Sequence, residues 1–78
     1  MASPVELVMS IVKQLVDKPE RVEARWIDTE RTVELNVDPA DRGKVIGRRG
    51  KTIDSLRILT SVVFANEGER IDIRLREE

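Results

Sequence analysis

The residues best suited to chemistry lie in one run, Gly43-Lys44-Val45-Ile46-Gly47-Arg48-Arg49-Gly50-Lys51-Thr52-Ile53. Gly47 and Gly50 bracket two arginines. A residue without a Cβ lets an anionic group come close to the main chain. If a helix starts at Gly50, its first N–H groups have no partner within that helix and carry its positive end. Such amides suit a phosphate, and Arg48, Arg49 and Lys51 add side-chain charge. Gly43, Ile46 and Gly47 are spaced to share one helix face, a small apolar surface on which a flat base can lie beside the turn. Gly43 within a helix costs about 1 kcal/mol relative to Ala. The chemistry implied is the holding of a sugar–phosphate strand rather than its transformation.

Other chemistries fall away. The chain has neither Cys nor His, which removes thiol catalysis, Cys/His zinc sites and imidazole acid–base work. Its 15 acidic residues include none in an apolar setting that would perturb a pKa, so no catalytic carboxylate pair stands out. No catalytic residue, metal site or cofactor is expected. Gly50-Lys51-Thr52 ends like a Walker A loop, but that motif's first glycine falls on Val45. The segment also joins two helices instead of following a strand. With Trp26 and Phe64 as the aromatic residues, there is no paired ring platform of the RRM kind.

At 78 residues the sequence reads as one domain, 1–78, without linker, repeat or low-complexity tract. A chain this short buries only roughly 60% of its unfolded surface, so a partner that covers more of it would matter. The net charge of −1 argues against nucleic acid, but its distribution argues for it. From Arg42 to Arg57 six basic residues face one acidic residue, a net +5, while the remainder carries eight basic and fourteen acidic residues, a net −6. A basic segment on an acidic body attracts phosphates while discouraging adhesion elsewhere. No apolar run approaches the roughly 20 residues that cross a bilayer. The start, Met1-Ala2-Ser3-Pro4, lacks the features of a secretory signal, and a cytoplasmic protein without membrane association is expected.

The elements that must position the run are readable. Ser3 as N-cap, Pro4 at the first helical position and Glu6 as the capping-box acid open a helix. Val5, Val8, Met9, Val12, Leu15 and Val16 form its apolar stripe, which Leu7 and Ile11 widen. Pro19 prevents its continuation. Val22, Ala24 and Trp26, then Val33, Leu35 and Val37, alternate with polar residues and predict two strands joined by a hairpin at Asp28-Thr29-Glu30. Asp38-Pro39 opens a second helix of about two turns that ends at Gly47. A third helix follows Gly50, with Ile53, Leu56, Leu59 or Thr60, and Val63 inward, and stops at Asn66-Glu67-Gly68. Ile71, Ile73 and Leu75 predict a last strand, parallel to the second. The expected fold class is α+β in the order α-β-β-α-α-β, a three-stranded mixed sheet with helices packed on one face.

Val45-Ile46-Gly47-Arg48-Arg49-Gly50-Lys51-Thr52-Ile53 resembles the Val-Ile-Gly-x-x-Gly-x-x-Ile signature of KH domains, and the element order resembles their type II form. The resemblance covers nearly the whole chain. Length, lone domain and the Ser-Pro-Val-Glu-Leu start are similar to the small bacterial KhpA family. This implies binding of single-stranded RNA, about four nucleotides clamped at the GXXG loop. It also implies a homodimer, or a heterodimer with a KhpB/Jag-type KH protein. On that pattern Gly47 and Gly50 are the loop glycines, Arg48 and Arg49 meet phosphate, Gly43 and Ile46 line a base groove, and Ile53 lies at its edge or beneath it. Lys44 and Lys51 complete the candidate set. The loop Asn66–Glu69, which helps wall the groove in the family, is short and acidic here, implying modest affinity and little sequence preference.

Plainer readings stand beside these. Glycines often simply end one helix and start another. Arg42, Lys44 and Arg57 suit a solvated face as well as a phosphate, Ile46 and Ile53 suit the core as well as a groove, and Trp26 suits packing at the sheet as well as a partner surface. A rival function is a protein-interaction subunit whose fold mainly makes a dimer, supported by the broad apolar surface of the first helix.

Overall fold

Two short alternating runs and one amphipathic helix set the architecture. In the computed structural model, which describes residues 3–76, the elements are α1 (Pro4–Leu15), β1 (Glu23–Ile27), β2 (Thr32–Asn36), α2 (Arg42–Ile46), α3 (Lys51–Phe64) and β3 (Asp72–Leu75). Met1, Ala2, Glu77 and Glu78, which include the ends of the expected domain and part of the chain start discussed above, lie outside the described residues. β1 pairs antiparallel with β2, and β2 pairs parallel with β3, in the sheet order β1-β2-β3. The α+β class, element order and mixed three-stranded sheet are those the pattern predicts. Among the described residues no helix is long and apolar enough to cross a membrane.

Capping explains the first helix. The hydroxyl of Ser3 accepts the N–H of Glu6 at 3.1 Å, and Pro4 occupies the first turn, where its missing N–H costs nothing. Val8 and Val12 are fully buried against Val33, Leu35 and Ile73 of the sheet, and Val45, Ile53 and Leu56 complete one core. The β1–β2 turn is tight: a short 3₁₀ turn, Asp28–Glu30, followed by Arg31 in the left-handed region (φ 46°). Trp26, opposite Val33, packs partly buried against the core, and its ring N–H donates to Asp28 at 3.1 Å.

On α3 the expected alternatives Leu59 or Thr60 resolve to Thr60, and Val63, expected inward, faces out. On α3 the buried residues are Ile53, Leu56 and Thr60, with Phe64 packed on the core, while Leu59 and Val63 are 42% and 54% exposed. A step of 3.6 residues from Ile53 through Leu56 leads to Thr60 and Phe64, not to Leu59 and Val63. Thr60 tolerates burial because its hydroxyl donates to the Leu56 carbonyl at 2.7 Å. Leu15 likewise leaves the inner stripe of α1 and is 38% exposed.

The other face of the sheet is charged. Glu34 is opposite Arg25 on β1 and Arg74 on β3, and bonds both, at 2.8 and 3.2 Å, while Arg74 also pairs with Glu30 at 2.7 Å. The Arg25 hydrogen bond, helped by Arg74 and opposed by desolvation, holds the Glu34 carboxyl below its ordinary 4.5. A carboxyl depressed on folding contributes stability above its unfolded pKa and loses it as pH falls through the folded value. The melting temperature of Glu34→Gln should therefore fall below wild type at pH 7, with the gap closing on acidification below about pH 4. Calorimetry across that range checks it, and a gap that persists at pH 2 would contradict the assignment.

Candidate nucleic-acid interface

The approach to the turn is fixed by two aspartates. Asp38 accepts the Ala40 N–H at 3.0 Å and Pro39 follows it, so the chain enters a 3₁₀ turn, Pro39–Asp41, that runs into α2. Asp41, 1% exposed, accepts the N–H groups of Asp17 and Lys18 at 3.2 and 3.1 Å. Those donors belong to the chain leaving α1, so one buried carboxylate ties the start of α2 to the end of α1. Lys44 bonds the Asp17 carboxylate and lies 3.7 Å from Asp41. These acids, the Asp17 hydrogen bond foremost, raise the Lys44 ammonium above its ordinary 10.5.

The turn itself is built on positive φ angles. Gly47 (φ 75°, ψ 176°) ends α2 with its N–H on the Gly43 carbonyl at 2.9 Å. Arg49 (φ 58°, ψ 26°) and Gly50 (φ 75°, ψ 11°) are left-handed, and the Gly50 N–H donates to the Gly47 carbonyl at 3.1 Å. Gly47 is required twice over. Its φ/ψ combination belongs almost solely to glycine, and a Cβ there would lie 2.1 Å from Thr52 Oγ1 and 2.6 Å from Thr52 Cβ. Gly50 has open space where a Cβ would go, so only its φ resists substitution.

Charge is sorted around this turn. Arg42 donates to the Arg76 carbonyl, Lys44 is paired as described, and Arg57 is paired with Asp54 and Asp72 at 2.6 and 2.7 Å. Arg48, Arg49 and Lys51 are exposed and, among the described residues, their side chains make no ion pair or hydrogen bond. The net-positive segment thus splits into three committed cations and three uncommitted ones, and the uncommitted three are those of the turn.

A groove of about 590 Å³ begins at Ile46, the residue before Gly47. Ile46, Ile53, Ile73 and Leu75 give it apolar walls, and Glu30, Thr32, Arg57, Asp72 and Arg74 give it polar ones. Ile46 is 36% exposed, whereas Ile53 is 6% exposed and belongs to the core as well as to the groove. Gly43 faces open space and is not among the lining residues. The loop Asn66–Glu69 does not line the groove either. It closes on itself, Glu69 N–H to the Asn66 carbonyl at 2.9 Å, and the polar wall is supplied from the β1–β2 turn by Glu30 and Thr32. Sequence reasoning missed Asp41 and Thr52, whose contacts leave no periodic signal. It also missed Thr32, Asp72 and Leu75, which only the β2–β3 pairing brings to the groove.

Comparison with known proteins agrees with this geometry. The model of the family described as KhpA/KhpB, KH domain, matches residues 5–75. The chain is similar to the RNA-binding protein KhpA of Chlamydia trachomatis, 37% identical over 94% of this chain and 96% of that protein. It is 35% identical to the RNA-binding protein KhpA of Aquifex aeolicus over 99% of this chain and all of that protein. It is 38% identical to that of Listeria monocytogenes over 92% of this chain and 97% of that protein. No solved structure gives a significant match.

The two loop glycines should differ in what they tolerate. Gly47→Ala meets both backbone strain and Thr52, and should cost about 3 kcal/mol or more. Gly50→Ala meets strain alone, and should cost about 1 kcal/mol. Urea denaturation of both variants checks the order, and equal losses would refute the role given to Thr52.

Proposed function

The chain belongs to the KhpA/KhpB family of KH domains, and from that premise we propose that it binds single-stranded RNA without catalysing a reaction on it. The strand's phosphates lie against the main chain of Gly47–Gly50 and meet Arg48, Arg49 and Lys51. Bases rest on Ile46, with Ile53 beneath them and Gly43 leaving space beside. Lys44, already paired, contributes least.

The observation that carries this reading is the sorting of charge: the uncommitted cations of the basic segment gather on the turn bracketed by Gly47 and Gly50. Ionic attraction of that kind supplies most of sequence-independent binding. The relatives' printed function, RNA binding, supports the ligand class.

A second reading is favoured by a separate surface. Ile58, Leu59, Val62 and Val63 are 65%, 42%, 76% and 54% exposed on α3, and no charged residue occurs from Ile58 through Asn66. A contiguous apolar face of this kind marks an interaction site. The domain pairs through it with a second copy of itself or with a KhpB-type KH domain. The broad apolar face lies mainly on α3, and Ile11 and Leu15 of α1 border it at Leu59. The two readings are compatible, because doubling a weak site raises avidity.

Replacing Arg48 and Arg49 together by Asp should abolish binding of a short mixed RNA in fluorescence anisotropy while circular dichroism stays unchanged. For three phosphates held, the wild-type salt slope should be about −2, from about −0.7 per phosphate on single strands. A double variant with wild-type affinity would defeat the RNA-binding reading. Val62→Glu should convert a concentration-dependent dimer to a monomer in sedimentation, and a wild-type chain that stays monomeric at every concentration would remove the second reading.

A further inference from the structure

The edge of β3 that borders the groove is already occupied, and by an arginine. Asp72 N–H donates to the Arg31 carbonyl at 3.1 Å and Arg76 N–H to the Leu35 carbonyl at 2.7 Å, so alternate residues of β3 bond to β2. The residues between, Ile73 and Leu75, therefore turn their N–H and C=O groups to the free edge. At Ile73 both are taken. Its carbonyl accepts from Arg57 Nε and Nη2 at 3.2 and 2.9 Å, and its N–H donates to the Asp72 carboxylate at 2.7 Å.

The same guanidinium is paired with two carboxylates. Asp54 on α3 holds Nη1 at 2.6 Å, and Asp72 on β3 holds Nε at 2.7 Å, leaving the Arg57 side chain 28% exposed. An isolated exposed pair is worth little. Here two carboxylates, each 63% exposed, and one carbonyl gather on one guanidinium, so the contacts act together. Arg57 thus lines the groove with its charge offset, while the turn cations stay free.

Building on the RNA-binding reading, we propose that Asp54 and Asp72 cage Arg57, a cation that would otherwise reach an RNA strand in the groove. The cage limits the domain's hold on RNA to the turn and the adjacent apolar wall. A phosphate or base oxygen entering the groove has to displace two carboxylates to reach the guanidinium. The grip is therefore weak beyond the first nucleotides and tolerant of sequence.

The test is a coupling experiment on the full chain with an eight-nucleotide mixed RNA, read by anisotropy at several salt concentrations. Asp54→Asn with Asp72→Asn should raise affinity about tenfold and steepen the salt slope by about 0.7, the value of one further phosphate contact. In an Arg57→Gln background the same two changes should give less than about threefold, the effect of background charge alone. A gain of equal size in both backgrounds, or no gain, overturns the cage while leaving RNA binding intact. Absence of RNA binding by the wild type and by the Asn variant overturns the RNA-binding reading and this proposal with it. Independently of RNA, the Arg57 Nε–H should exchange with solvent more slowly than that of Arg48 by NMR, and lose that protection in the Asn variant. Equal exchange of the two in the wild type overturns the cage whatever the binding data give.

Discussion

Gly47 sits so close to Thr52 that no side chain fits between the end of α2 and the first turn of α3, and the rest of the site follows from that contact. The two helices can join this tightly only if the intervening chain turns through positive φ, and Arg49 takes part although it carries a full side chain. Such a conformation costs an ordinary residue about 1–2 kcal/mol. A small domain has a total stability of only about 5–15 kcal/mol, so the strain is a real fraction of the margin. Strain of this sort persists where the surroundings over-determine it. Here they do: Gly43 and Gly47 each lend a carbonyl to the turn, and Asp41 anchors α2 from behind. The outcome is a tight corner that holds Arg48 and Arg49 in solvent.

Electrostatics then divides the surface. A chain of net charge −1 should have little attraction for a polyanion, yet the field near a surface is set by the nearest unpaired charges, because salt screens interactions beyond about 8–10 Å. On the outer sheet face Arg25, Glu34, Arg74 and Glu30 alternate in sign and cancel locally. Lys44 and Arg57 are cancelled in the same way on either side of the turn. Within the basic segment, what remains positive at short range is the corner.

Most of the fold was legible in the sequence because its signals are local. The capping residues of α1, the period-two strands and the Asp38-Pro39 helix start each depend on neighbours a few residues apart. The glycine-bracketed arginines were legible for the same reason. What was not legible depends on distant partners. Lys44 looked as available as Lys51 until the fold brought Asp17 to it, 27 residues away in sequence. Arg57 looked free until the parallel pairing of β2 and β3 placed Asp72 and the Ile73 carbonyl opposite it. The phase of α3 was only partly legible for a different reason: several apolar residues beyond Leu56 compete for the core, and a buried threonine won because its hydroxyl bonds its own helix. Hydrophobicity alone cannot choose among Leu59, Thr60 and Val63.

That crowding of apolar residues on α3 has a consequence for binding. The helix has more hydrophobic surface than one small domain can bury, and the surplus lies away from the groove. The proposed pairing through the surplus would not use the turn, because Arg48 and Arg49 precede the helix and Ile58, Leu59, Val62 and Val63 occupy its second half. A strand that engages one turn of such a pair would then meet the second at an effective concentration set by the distance between them. By linkage, an RNA that bridges the pair strengthens the pair by the same factor with which pairing strengthens RNA binding. The burial also stabilises each fold in a concentration-dependent way, so a domain with a strained corner and a thin core gains most from it. On the proposed readings one helix would serve both surfaces, its first turn beside the phosphate site and its last two turns at the partner.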